Sequence, residues 1–236
     1  MASTTGHTVK AFDQDLGQLR ALVSEMGGLA EAMLADAMTA LGRRDAEGAS
    51  VVVDSDRRID RIEAEIERLA LRILALRAPM ADDLRDVIAA LKISGVIERM
   101  GDYAKNIARR VPLLTEARAI EALSVLPAMG RAVAEMMREA FDAYAARDPA
   151  AAIAVAESDR VVDDFYNSLF RALLTHMMEA PHTITAAAHL LFIAKNLERI
   201  GDHATNVAEI VHFAATGIAM ADRVRGGDAL APEGEY

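Results

Sequence analysis

Glu98, Asp102 and Asn106 lie four residues apart, and so do Glu198, Asp202 and Asn206. On a helix that spacing projects oxygen ligands from one face. Asp56 and Asp60 form another such pair, with Asp159 and Asp163 as its counterpart. The chemistry open to these rows is cation binding. Carboxylate and amide oxygens suit hard ions such as Mg²⁺, Mn²⁺, Ca²⁺ or iron, with zinc a less preferred guest. One E/D-x-x-x-D pair carries little information, because exposed acids four apart are common on helices and repel only mildly. Four pairs at repeated places carry more. The competing reading is a solvated acidic face with Arg57, Arg99, Arg160 and Arg199 as its partners.

The repetition is extensive. Residues 91–108, LKISGVIERMGDYAKNIA, align with 191–208, LFIAKNLERIGDHATNVA, at an offset of 100. DSDRRID at 54–60 matches ESDRVVD at 157–163, and MGGLAEAMLADAMTALGRRD at 26–45 matches MGRAVAEMMREAFDAYAARD at 129–148, both at an offset of 103. Three blocks recurring in one order mark an internal duplication. The change of offset places a shorter connection between the second and third blocks of the second copy.

The elements that carry the rows are helices. Pro79, Pro112, Pro127, Pro149 and Pro181 fall between blocks, where proline breaks nothing. Asp148-Pro149 reads as an N-cap followed by proline at the first helical position, and Asp45 holds the matching place in copy one. The spacing predicts helices over about 12–43, 46–77 and 83–111, then 119–146, 149–179 and 184–216. Ile59, Ile62, Ile66, Leu69, Ile73 and Leu76 make an apolar seam on the second helix. Ile93, Ile97, Met100, Ala104 and Ile107 make one on the third, matched by Ile193, Leu197, Ile200, Ala204 and Val207. The expected fold is all-α, two tandem antiparallel three-helix bundles over 10–112 and 118–218, followed by a loose tail at 219–236.

An antiparallel turn near Pro79 puts residue 58 opposite residue 100, and one near Pro181 puts 161 opposite 200. Asp56 and Asp60 then stand level with Glu98 and Asp102, and Asp159 and Asp163 level with Glu198 and Asp202. Each copy gathers four carboxylates at one height. Glu98 and Asp102 point about 140–180° away from the apolar stripe of their helix. Leu84, Ile88 and Leu91 share their face one to two turns earlier, so it is not simply a water-facing one.

Composition narrows the function classes. Formal net charge is −10 with no Lys/Arg run, which argues against a nucleic-acid partner held by phosphate neutralisation. The absence of Cys removes disulfides and thiolate metal sites and makes the reducing cytosol the default. No stretch has the length and apolarity of a membrane span or a signal-peptide core. His7, His176, His182, His189, His203 and His212 share no duplicated position, and His203, which replaces Tyr103, reads as a surface or supporting residue. Met26, Met33, Met38, Met129, Met136 and Met137 read as core filler.

The paired ERxGD-x-A-x-N blocks at Glu98–Asn106 and Glu198–Asn206, with the pairs Asp56-Arg57 and Asp159-Arg160, resemble the PhoU family of phosphate-transport accessory regulators. FDQDL at 12–16, Met26-Gly27 and GGDAL at 226–230 are also family-like, and the likeness extends over about residues 10–220. The resemblance implies two three-helix bundles related by a pseudo-twofold, often forming a homodimer, with multinuclear divalent metal on the acidic rows. The metal would be iron, zinc, manganese or magnesium, held by Asp56, Asp60, Glu98 and Asp102 and by Asp159, Asp163, Glu198 and Asp202. It also implies a cytoplasmic negative regulator acting between the ATPase subunit of the phosphate ABC transporter and a sensor histidine kinase.

Two other functions compete. A di-iron carboxylate enzyme needs Glu-x-x-His on each of two helices with inward-facing glutamates. Glu209-x-x-His212 fits once, whereas Glu179-x-x-His182 spans Pro181 and a predicted turn. A metal-free helical adaptor would keep a regulatory role and use the acidic rows against basic partner surfaces. The expectation is a binding protein and not an enzyme.

Overall fold

The computed structural model describes residues 4–115 and 124–220, with side chains from residue 12 onward. Six helices carry the fold: α1 Thr4–Arg43, α2 Ala46–Arg77, α3 Ala81–Ala108, α4 Leu126–Ala146, α5 Pro149–Glu179 and α6 Ile184–Thr216. Short 3-10 turns lie at Pro112–Leu114 and Pro181–Thr183. The expected tail, with GGDAL at 226–230, falls outside the described residues apart from its first two, as do residues 116–123 between the repeats. Among the described residues no helix is long and apolar enough to cross a membrane.

Local chemistry sets the helix ends. Asp45 accepts the backbone N–H groups of Glu47 and Gly48, and Asp148 accepts those of Ala150 and Ala151, so two orphan amides at each start find an acceptor. Pro149 sits at the first position of α5, where its missing N–H costs nothing. The third helix stops at Ala108 and not at 111, because Pro112 has no N–H to offer the Ala108 carbonyl. The chain there tightens into shorter bonds, Arg110 N to Ile107 O and Val111 N to Ala108 O, both 3.0 Å. The first helix begins at Thr4, upstream of the expected 12, over a stretch without proline. The fourth is seen from Leu126; its expected start at 119 lies outside the described residues.

Helices α1, α2 and α3 pack on one another, and so do α4, α5 and α6. The two bundles join along two seams, α3 against α6 and α1 against α4, so that one apolar core runs through both. Ile59, Ile62, Ile66, Leu69 and Ile73 are buried on α2, and every member of the α3 and α6 stripes is buried. Leu76 is the exception, 71% exposed. Met26, Met33, Met129, Met136 and Met137 are buried and Met38 packs against them, filling the core as read. Each fully buried Leu, Ile or Met contributes about 1.5–3 kcal/mol, and that burial, more than helix propensity, orders the bundle.

The seam between α1 and α4 is reciprocal. A Cβ on Gly27 would lie 2.9 Å from Phe141 Cδ2, and a Cβ on Gly130 would lie 2.9 Å from Met38 Cε. Gly27 and Gly130 are equivalent in the duplication, and so are Met38 and Phe141, so the contact is made twice under a pseudo-twofold. A second tie has no counterpart. Asp86 on α3, buried, is held by Arg20 of α1 and by Arg147, 2.8 Å away, at the end of α4. The buried Tyr144 phenol beside this cluster is pushed upward, chiefly by burial.

Candidate functional site

The acidic rows lie where the paired helices of each hairpin, α2 with α3 and α5 with α6, pack on each other. Glycine sets how closely the two helices approach. A Cβ on Gly101 would lie 2.7 Å from Ile59 Cδ1 and 3.9 Å from Asp56 Oδ1. A Cβ on Gly201 would lie 3.4 Å from Val162 Cγ1 and 3.7 Å from Asp159 Oδ1. The glycine of each ERxGD block is thus the place where the paired helix brings its Asp56 or Asp159. The register matches the expected opposition of 58 with 100 and 161 with 200, although the two connections differ in length.

Burial within the rows is uneven. Asp56 is buried, Glu98, Asp102, Asp159, Asp163 and Glu198 are half-buried, and Asp60 and Asp202 are exposed. Burial pushes the Glu98 carboxyl above the usual carboxylate range, and the negative charges of Asp102, Glu63, Asp60 and Asp56 push it further. Burial likewise raises Glu198, with Asp202 and Asp163 adding to it and the hydrogen bond from Lys195 opposing. Each glutamate therefore feels the other carboxylates of its own copy.

Two lysines stand beside the rows. The Lys105 ammonium bridges Asp56, at 2.5 Å, and Asp102. Burial opposes its charge, but the hydrogen bonds to both carboxylates outweigh burial and raise its pKa. Lys195 donates to Glu198 Oε1 at 2.6 Å and lies 5.1 Å from the Tyr166 ring. Of the arginines expected here, Arg57 pairs with Asp54 at 3.6 Å, and Arg99 and Arg199 belong to the α3/α6 seam. The reason is reach. Lys105 and Lys195 are three residues from Asp102 and Glu198 on the same helical face, whereas Arg99 and Arg199 point about 100° away from their neighbouring glutamates.

The lysines break the symmetry of the duplication. Lys105 corresponds to Thr205, and Lys195 corresponds to Gly95. In the first copy an ammonium closes the Asp56–Asp102 end of the row. In the second, Lys195 neutralises Glu198 from the other end, and Glu198 Oε2 is buried with no hydrogen-bond partner, as is the Thr205 hydroxyl. A buried carboxylate oxygen left in that state fits an added cation. Among the described residues no three His, Asp or Glu side chains close to the spacing of a metal cage, so side chains must swing inward for the rows to hold an ion. Glu63 also belongs to the first row, and its carboxyl is raised by burial and by Glu67 and Asp60. Its counterpart is Tyr166, so the duplication gave no signal for it.

Among the described residues no histidine joins the carboxylates in a group that could hold a metal ion. His203 meets Tyr103 edge to face, ring centroids 5.3 Å apart, and its Nδ1 bonds the Arg199 carbonyl at 2.9 Å. His212 Nδ1 lies 3.1 Å from the Ile218 carbonyl, and His182 sits in a 3-10 turn.

Comparison with known proteins agrees with this architecture. The family model described as PhoU domain matches residues 23–111 and again 126–211. A relative from Zymomonas mobilis, named phosphate-specific transport system accessory protein PhoU homolog, is 61% identical over 233 residues, covering 99% of this chain and 98% of its own. A relative of the same name from Caulobacter vibrioides is 52% identical over 214 residues, covering 90% and 93%. The crystal structure of PhoU from Pseudomonas aeruginosa superposes with a TM-score of 0.85 at 38% identity, covering 88% of this chain and 100% of that one. PhoU from Streptococcus pneumoniae, described as a phosphate transport system regulatory protein, gives 0.83 at 29% identity, covering 89% and 99%.

Proposed function

The chain belongs to the PhoU family, and on that premise we propose that it is a cytoplasmic negative regulator of phosphate uptake and of the phosphate-starvation response. It acts by protein contacts with the ATPase subunit of the phosphate ABC transporter and with the phosphate sensor histidine kinase, as a homodimer and without enzymatic activity. One observation carries the reading: near-identical length and 61% identity to a protein named for accessory function in phosphate transport. Among the described residues no helix could cross a membrane, which suits a partner that meets a transporter from one side.

We further propose that divalent metal binds the rows, through Asp159, Asp163, Glu198 and Asp202 in the second copy and Asp56, Asp60, Glu98 and Asp102 in the first. A bound cation would offset the mutual repulsion of the carboxylates and cross-link the two helices of each hairpin. What supports this is the donor set and the orphaned oxygen of Glu198. This chain's own residues do the rest: Gly101 and Gly201 allow the helices close enough for both to contribute, and Lys105 and Lys195 supply positive charge to Asp56, Asp102 and Glu198.

The regulatory reading is tested by a clean deletion of the gene. Starvation-gene expression or phosphate accumulation should rise in phosphate-rich medium, and the assignment fails if both stay at the wild-type level.

A further inference from the structure

The α3/α6 seam presents a basic and aromatic stripe that the acidic rows do not use. Arg99 and Arg199 occupy equivalent positions and are exposed; Arg110 is half-buried. The Arg199 guanidinium lies 5.7 Å from the Tyr103 ring centre, and that of Arg110 lies 4.4 Å from the centre of Phe192, a ring that is 53% exposed. Arg110 also meets His189 Nδ1 at 3.3 Å. Both Arg99 and Arg199 act electrostatically on His203, which with Tyr103 lies where the pseudo-twofold crosses the seam.

Their lack of carboxylate partners is unusual for this chain. Acids outnumber bases by 36 to 26, and Arg20, Arg58, Arg72, Arg77 and Arg147 each find one. Arg99, Arg199 and Arg110 form no ion pair with any described residue; Arg110 and Arg199 lie over the Phe192 and Tyr103 rings, and Arg99 acts on the His203 imidazole. The rings beside these arginines, Tyr103, Phe192 and His203, bring no carboxylate to them. The exposed Arg199 guanidinium, over the Tyr103 ring, keeps N–H donors available for bidentate pairing with an oxyanion. Arginine with Tyr and Phe is also the composition enriched at the centres of protein interfaces.

We propose that the α3/α6 seam is a docking surface for an acidic segment of another protein, whose carboxylates pair with Arg99, Arg199 and Arg110 and whose apolar side chains cover Phe192. The observations favour a protein over a uniform polyanion. A net charge of −10 repels a long phosphate polymer, whereas a short acidic segment feels mainly the local arginines, and the exposed Phe192 calls for an apolar counterpart. The surface follows from side chains alone and does not rest on the regulatory reading, which gene deletion tests separately.

The experiment is fluorescence anisotropy of a labelled, synthetic amphipathic helix of Glu and Leu against the full chain in chelator, so that no metal bridges acid to acid. Wild type should bind with an affinity that falls as salt rises. Arg99→Ala with Arg199→Ala should weaken binding about fivefold to tenfold, the worth of two partly exposed charge pairs. Phe192→Ala should weaken it by about threefold, as loss of part of an apolar contact does. Arg131→Ala with Arg138→Ala, on the exposed side of α4, should leave binding unchanged. Should the double alanine variant lose its helical circular dichroism, Arg110→Gln and the charge-removing Arg99→Gln/Arg199→Gln pair give the same comparison. Equal binding by wild type and the seam variants overturns the proposal. So does arginine-dependent capture of polyphosphate or RNA without the peptide, or arginine-dependent self-association, which would make the occupant a second copy.

Discussion

Tyr103 and His203 hold the same place in the two repeats and touch each other, their rings at 85° and 5.3 Å between centres. A residue meets its own equivalent only near the axis that relates the copies, so this pair marks the pseudo-twofold on the α3/α6 side. Gly27 on Phe141 and Gly130 on Met38 mark it on the α1/α4 side. The duplication is therefore a packing rule as well as a sequence pattern: each copy supplies half of both seams.

The imidazole makes the α3/α6 seam sensitive to acid. Burial lowers the pKa of His203, and Arg99 and Arg199 lower it further against the hydrogen bond to the Arg199 carbonyl. The folded protein then releases this proton more readily than the unfolded chain, and below about pH 6.5 the unfolded chain holds more protons. Stability from this group is present above that range and falls as pH drops toward the folded pKa. In chelator, His203→Gln should lose less melting temperature than wild type between about pH 7.5 and about pH 5.5. Identical losses would show that the seam does not titrate through His203.

The α1/α4 seam gives a contrast between two equivalent glycines. Alanine at 27 drives a methyl into the rigid ring of Phe141, which is buried and meets the new atom through both Cδ2 and Cγ. Alanine at 130 meets the Met38 side chain, mainly through its flexible end. Gly27→Ala should destabilise by about 1–3 kcal/mol through overpacking. Gly130→Ala should be near neutral or stabilising, since Met38 can swing and helix propensity returns up to about 1 kcal/mol. Urea titrations of both variants check this, and equal effects would mean that the two seams yield alike.

How much of this was legible in the sequence depended on repetition. The helices, their caps at Asp45 and Asp148, the buried stripes and the hairpin register all appear twice, and each copy vouches for the other. Unrepeated features were invisible for the same reason. Asp86 corresponds to Ala186, Lys105 to Thr205, Lys195 to Gly95 and Glu63 to Tyr166, so nothing flagged the buried clamp, the two counter-cations or the added carboxylate. Leu76 misled because periodicity reports the face of a residue but not whether a neighbouring side chain covers it.

The Asp86 clamp should hold the repeats together. It gathers α1, α3 and the end of α4 on one buried carboxylate. Asp86→Ala leaves Arg20 and Arg147 facing each other beside Tyr144 without the charge between them. Both arginines are about two-fifths exposed, and water will screen part of the loss. The expected cost is about 1–2 kcal/mol. Faster amide exchange along both seams than in the α2 and α5 stripes would place the loss between the repeats; uniform acceleration would mean that Asp86 only supports global stability.

The metal proposal makes a prediction that separates the two copies. In the first, Lys105 already supplies a positive charge to Asp56 and Asp102, so an ion must displace an ammonium that is itself largely buried, with its side chain 15% exposed. In the second, one oxygen of Glu198 is buried with no hydrogen-bond partner and is open to an ion. The second row should therefore fill first. An ion that binds only the folded state stabilises by mass action, about 2.7 kcal/mol at a hundredfold excess over its dissociation constant. Melting in chelator against Mg²⁺, Mn²⁺, Fe²⁺ and Zn²⁺ should show a rise that Asp202→Ala largely removes, that Asp102→Ala reduces less, and that the two together abolish. Lys105→Ala should melt lower than wild type in chelator, since stranding the buried Asp56 carboxylate costs about 1–3 kcal/mol. With metal present it should recover more than wild type gains, because the first row then accepts a cation without competition. If wild type and Lys105→Ala melt the same with chelator as with every ion, the rows are lysine-balanced faces and the metal assignment falls.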